Sequence, residues 1–203
     1  MSKPRRKGSG NTNALIGGSA TKNCRSVDNM LSEKMQEALN TQLNKEMYSA
    51  YLYMAMSAYS TYIGLKGFAN WFMVQYQEEM VHAMKIYDYI NDQGGQVKLL
   101  AIEQPLTEFE SPLDMFEKTL KHEKFITRSI NELVDLAIAE KDHATNIFLQ
   151  WFVTEQIEEE GNDNEIIAKL KLVGEEGNGL LMVDKELAAR IFTPPATAEA
   201  GGA

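Results

Sequence analysis

Gln75-Tyr76-Gln77-Glu78-Glu79-Met80-Val81-His82 is the stretch on which the reading of this chain turns. It lies inside a long helical pattern and sets a carboxylate and an imidazole three residues apart, at Glu79 and His82. Residues at i and i+3 share a helix face, so both side chains can point into a bundle and offer one oxygen and one nitrogen to a metal ion. Alone the pair is a weak signal, because Glu-x-x-His also occurs on solvated helix faces.

An internal echo strengthens it. Glu46 stands 33 residues before Glu79, and Glu123 stands 33 residues before Gln156. The first half of the chain thus carries Glu46, then Glu79 and His82. The second carries Glu123, then Gln156 and Glu159, again spaced i and i+3. Two antiparallel helix pairs related by a pseudo-twofold would bring all six side chains to the middle of a four-helix bundle, the layout of a di-iron site.

Composition narrows the class. With 203 residues, 44% of them hydrophobic, one domain can bury a sizeable core. No apolar run approaches the ~18 residues of a membrane helix, so no membrane span is expected. Cys24 is the single cysteine, which rules out a disulfide or a Cys-x-x-Cys metal ribbon within the chain and fits a cytoplasmic protein. The net charge of -9 is uneven: residues 1–29 are basic, whereas residues 30–203 carry 14 basic against 28 acidic side chains, net -14. Such a body argues against nucleic acid as a partner and suits a cation.

Residues 1–29, rich in Gly, Ser and Asn and without hydrophobic periodicity, read as a disordered basic extension, artificial or mis-started, ahead of the fold. Met30 opens the helical pattern. Leu31, Met35, Leu39, Leu43, Met47, Tyr51 and Met54 outline helix one to about Tyr59, with Ser32 as N-cap and Glu33 in the first turn. Gly64 and Gly67 break the pattern. Phe68, Trp71, Phe72, Val74, Met80, Met84, Tyr87 and Ile90 then mark helix two, which stops at Gly94-Gly95.

The stretch 96–111 is too long for a hairpin and long enough to run the length of a ~40 Å helix, so helices two and three should be parallel. Ser111-Pro112-Leu113-Asp114 starts helix three, which reaches about Glu140. Helix four carries Ala144, Ile147, Phe148, Trp151, Phe152, Ile157, Ile166, Leu170 and Val173. Gly161-Asn162-Asp163-Asn164 are poor helix formers that leave room for a bend or π-bulge. A short fifth helix spans Leu180 to Ile191, and residues 196–203 read as a disordered tail.

The domain at 30–195 resembles the prokaryotic non-haem ferritins. The resemblance rests on Leu43-Asn44-Lys45-Glu46-Met47-Tyr48-Ser49-Ala50-Tyr51, on Gln77 to His82, on Lys121-His122-Glu123 and on the run Phe148 to Glu160. It implies an all-α, ferritin-like four-helix bundle with one long crossover between helices two and three and a short fifth helix. It further implies that iron(II) is oxidised by dioxygen or hydrogen peroxide at a di-iron ferroxidase centre, with ferric mineral kept inside a homo-oligomeric shell of 24 subunits. On this resemblance Glu46, Glu79 and His82 hold the first iron, and Glu79 as a bridge, Glu123 and Gln156 serve the second. Glu78, Glu155, Glu158 and Glu159 match an outer third iron site, and Tyr53 matches the tyrosine beside the centre.

Simpler readings compete at several positions. A run such as Glu158-Glu159-Glu160 is by itself a solvated face, but Glu155 and Glu158 at i,i+3 beside Gln156 favour a site. Glu140-Lys141-Asp142-His143 is rejected as a second site because it lies at a helix junction. His122 is turned about 100° from Glu123 and reads as a surface or interface residue. Met80, at the position where bacterioferritins bind haem, reads as buried packing, and haem is not expected because Gln156 and Glu159 replace the Glu and His of that group. Trp71, Trp151 and the Met and Tyr residues at helical spacing read as core. A di-iron oxidase or peroxidase of rubrerythrin or bacterioferritin type is the alternative function. The lack of a Cys-x-x-Cys domain and of symmetric Glu-x-x-His ligation speaks against it.

Overall fold

A computed structural model describes residues 30–174 and 177–194; the expected extension at 1–29 and tail at 196–203 lie outside these residues. Five helices follow one another: α1 (Glu33–Tyr62), α2 (Lys66–Asp92), α3 (Pro112–Glu140), α4 (His143–Val173) and α5 (Asn178–Leu187). Local chemistry sets their starts. Ser32, Ser111 and Asp142 each accept a hydrogen bond from the backbone N–H three residues on, and Pro112 opens α3. Lys141, in the left-handed region at φ 59°, turns the chain between α3 and α4. Glu140, from the rejected Glu-x-x-His, accepts instead from the Ser32 hydroxyl at 2.6 Å.

The crossover explains the topology. As the chain advances from Gln96 to Phe109 it is stitched along α1. Asn40 donates to Gln96 O at 3.0 Å, Asn44 donates to Ala101 O at 3.2 Å, and Tyr59 donates to Phe109 O at 2.7 Å. It therefore runs in the direction of α1 and delivers α3 to the end where α2 began. Helices α2 and α3 are parallel, while α1 pairs with α2 and α3 with α4 as antiparallel hairpins.

Two apolar clusters fill the bundle. One holds Tyr53, Phe68, Trp71, Phe72, Phe116 and Leu170 with Val183 of α5; the other holds Met35, Leu39, Ile86, Ile90, Ile130 and Leu149. Each such buried side chain contributes about 1.5–3 kcal/mol, enough together to carry a polar layer between them.

Several expectations need correction. The stripe on α1 drifts, because steps of four residues gain about 40° per step. After Leu43 the inward line passes through Glu46, Ala50, Tyr53, Met56 and Ser60, and Tyr51 and Met54 are exposed. In α4 the inward line is Thr145, Leu149, Phe152, Gln156, Glu159, Asp163, Ile166 and Leu170, so Ile147 and Ile157 face out. Met80 and Trp151 are half-buried rather than core, and Met84, Tyr87 and Tyr62 are exposed. No π-turn interrupts α4 at Gly161. Asp163 is buried there, Asn164 bonds back to Glu160 O at 2.6 Å, and packing on both sides overrides weak propensity. Helix α5 ends at Leu187, short of Ile191.

Gly67 does not break a helix; it lies in the first turn of α2, where a Cβ would stand 1.6 Å from Asp184 O. Leu65 provides no cap, and Asp184 of α5 accepts from Gly67 N at 2.7 Å and Phe68 N at 3.1 Å instead. A carboxylate there also meets the positive end of the helix dipole.

Candidate metal centre

The polar layer between the clusters draws on all four long helices: Glu46 from α1, Glu79 with His82 from α2, Glu123 from α3, and Gln156 with Glu159 from α4. All are buried, Glu46 and Glu123 to 1% exposure. Ligand atoms of Glu46, Glu79 and His82 lie within 4.8 Å of one another. His82 Nδ1 is 3.4 Å from Glu79 Oε2, and its ring stands edge-on to Trp151 and Phe152. Glu46 is oriented by Gln42, which donates to Oε1 at 2.7 Å, while its Oε2 finds no hydrogen-bond partner among the described residues. A buried, unpartnered carboxylate oxygen facing a second carboxylate and an imidazole is what a cation would satisfy.

Opposite them, Glu123 accepts from the buried Tyr53 hydroxyl and from Gln156 Nε2 at 3.1 Å. Gln156 also donates to Glu123 O and Thr127 Oγ1, both at 3.2 Å. In this arrangement the amide orients Glu123. Burial holds the Tyr53 phenol well above its usual range, so it remains a donor.

Electrostatics bind these groups into one unit. Burial pushes Glu46, Glu79 and Glu123 up, and for Glu79 the neighbouring charges of Glu123 and Glu46 add to it. Burial also raises Glu159 to about 7 and Asp163 to about 9. Protons and cations therefore compete for the same oxygens.

A second grouping adjoins the first. His82, Glu155 and Glu159 offer ligand atoms within 4.8 Å. They share a cleft of about 360 Å³ with Glu78, Glu158 and Arg190. Of the four outer glutamates, the geometry joins Glu155 and Glu159 to His82. Glu158 is exposed, and Glu78 is engaged by Arg190 Nη2 at 2.6 Å. Burial raises both Glu78 and Glu155.

His122, read from the sequence as a surface or interface residue, is partly covered within its own chain. It is half-buried among Tyr48, Tyr53 and Phe125, with Nε2 2.7 Å from Ser49 Oγ, and burial lowers it to about 4. It stays neutral at pH 7.

Sequence reasoning missed Gln42, Gln75, Asp163 and Arg190. Three had a readable signal: Gln42 and Gln75 repeat the 33-residue offset, each four residues before a buried glutamate of the layer, and Asp163 continues the line of Gln156 and Glu159 by one turn. Arg190 had none, since it reaches the cleft only through the packing of α5.

A bundle with one crossover whose waist holds inward carboxylates and one imidazole is a carboxylate-rich, metal-binding four-helix protein. Residues 36–173 match the family described as Ferritin-like domain, and the chain belongs to that family. It is 46% identical over 156 residues to the bacterial non-heme ferritin of Campylobacter jejuni, covering 77% of this chain and 93% of the relative. It is 45% identical to that of Staphylococcus saprophyticus, covering 80% and 98%. Among solved structures, the open-pore ferritin of Archaeoglobus fulgidus is similar with a TM-score of 0.79 and 54% identity, over 80% of this chain and 99% of that one. A closed form of the same ferritin, obtained by mutagenesis, is 55% identical over the same shares at the same TM-score.

Proposed function

We propose that this iron-storage protein is a ferroxidase that loads its own store. Two iron(II) ions bind as substrate in the buried layer, the first at Glu46, Glu79 and His82, the second at Glu79, Glu123 and Gln156. Glu79 bridges them. The observation that carries this reading is the buried Glu46, Glu79 and His82 grouping with its unpartnered Glu46 oxygen.

Carboxylates and an imidazole accept iron in both oxidation states, and three protein side chains per iron leave coordination positions for an oxidant. Each iron(II) gives up one electron, so a pair held together can hand two to one molecule of dioxygen or hydrogen peroxide. Tyr53 donates a hydrogen bond to Glu123 and fixes the second site's carboxylate. The cleft at Glu155 and Glu159 is the outer station, receiving a third iron between the centre and the store.

The store requires an enclosing assembly, for which we infer a homo-oligomeric shell of 24 subunits in the cytoplasm. An apolar face of α1 and the crossover, with Tyr51, Met54, Tyr62, Ile102 and Leu106 exposed, is surface that subunit contacts would cover. Among the described residues no helix is long and apolar enough to cross a membrane. Size-exclusion chromatography after aerobic addition of iron(II) tests the reading. Ferric iron should co-elute with protein of several hundred kilodaltons; elution of iron-free protein at the 22.8 kDa of one chain would refute it.

A further inference from the structure

Arg190 follows α5 and lies along one face of α2. Asn70 clamps the turn that carries it, donating to the carbonyls of Leu187, Ala188 and Arg190 at 3.3, 3.4 and 2.9 Å. The guanidinium carbon sits 4.5 Å above the Trp71 ring centroid. Nη1 donates to Gln75 Oε1 and Nη2 to Glu78 Oε2, both at 2.6 Å. Trp71, Gln75 and Glu78 follow one another at i, i+4 and i+7, so a single helix face presents a ring, an amide and a carboxylate to one planar cation. Gln75 passes the contact on: its Nε2 donates to Glu159 Oε2 at 2.5 Å.

We propose that Arg190 is a built-in counter-cation of the outer carboxylate cluster, and that a metal ion entering the cleft competes with its guanidinium for Glu78. This rests on the reading of the cleft as the outer iron station. Glu78, Glu155, Glu158 and Glu159 line the cleft with Arg190 as the positive group among them, and like charges at this spacing repel. A divalent ion relieves the repulsion better than a guanidinium, but to recruit Glu78 it must break a short charge-assisted bond. Arg190 is then a positioning residue. It sets the affinity of the third ion relative to the first two, and through Gln75 it orients Glu159. Displacement frees the guanidinium from the Trp71 ring and loosens the segment after α5, so filling the outer station is felt at the end of the fold.

Titration with zinc(II), which cannot be oxidised, separates the possibilities when done by calorimetry on the assembled protein. In the parent a weaker third ion per subunit should be seen, and Glu155→Gln should abolish it. Arg190→Gln should tighten that third ion on the order of tenfold relative to the first two. Arg190→Lys, which keeps the charge but loses the planar contact with Gln75 and the Trp71 ring, should tighten it less than Arg190→Gln does. A merely structural arginine would lower the melting temperature and leave the affinity ratio alone. As a second measurement, Trp151→Phe leaves Trp71 as the tryptophan emitter, and its emission should change as the third ion binds. A third ion that is lost in Glu155→Gln but neither tightened by Arg190→Gln nor sensed by Trp71 overturns the proposal while sparing the outer station. No third ion in the parent overturns both.

Discussion

Asp163 shows, at one residue, how the buried layer ties stability to protonation. Its side chain is 1% exposed, Oδ2 has no hydrogen-bond partner among the described residues, and burial with the charges of Glu123 and Glu159 raises it to about 9. An unfolded Asp titrates near 3.9, so between about pH 4 and pH 9 the folded chain holds a proton here that the unfolded chain has released. The sign follows: this group's contribution is fully present below pH 4 and is lost as pH rises through 9. Asp163→Asn lacks this dependence. The metal-free variant should match the parent near pH 4 and exceed it by about 1–3 kcal/mol at pH 8, measured by urea unfolding across the pH range. An equal difference at both pH values would mean that Asp163 is ionised in the fold.

At the scale of the elements, the junction of α2 and α5 is the tightest constraint. Gly67→Ala places a methyl group where Asp184 O stands and must push α5 away, with the Asp184 cap and Arg190 carried along. A loss of about 2–4 kcal/mol is expected by thermal melting. Asp184→Ala, which removes only the cap, should cost about 1 kcal/mol. If the two variants melt alike, the close approach is unimportant. The same junction marks the limit of what the sequence discloses. Helices α1 to α4, their order and the crossover were legible because capping residues, glycines and apolar spacing act locally. The glutamates proposed as ligands were legible as a group because their spacing repeats. Which apolar residues face inward is less so: a stripe followed in steps of four drifts off its face, which is why Tyr51 and Met54 fit the helical spacing and yet lie exposed. Gly67 and Arg190 depend on a contact between residues more than a hundred positions apart, which no local pattern announces.

On the scale of the whole molecule, two apolar clusters at opposite ends hold a charged layer between them, and the division separates stability from chemistry. Burying several carboxylates is unfavourable unless protons or cations neutralise them, so the layer costs the fold stability wherever neither is bound. The most direct test is stopped-flow absorbance of iron(II) oxidation by Glu79→Ala, with far-ultraviolet circular dichroism and melting as controls. Because the fold rests on the clusters, helicity and melting temperature should equal or exceed those of the parent. If Glu79 is the shared ligand proposed above, the fast oxidation phase should fall on the order of a hundredfold. An unchanged fast phase in a fully folded variant would contradict the assignment of the centre.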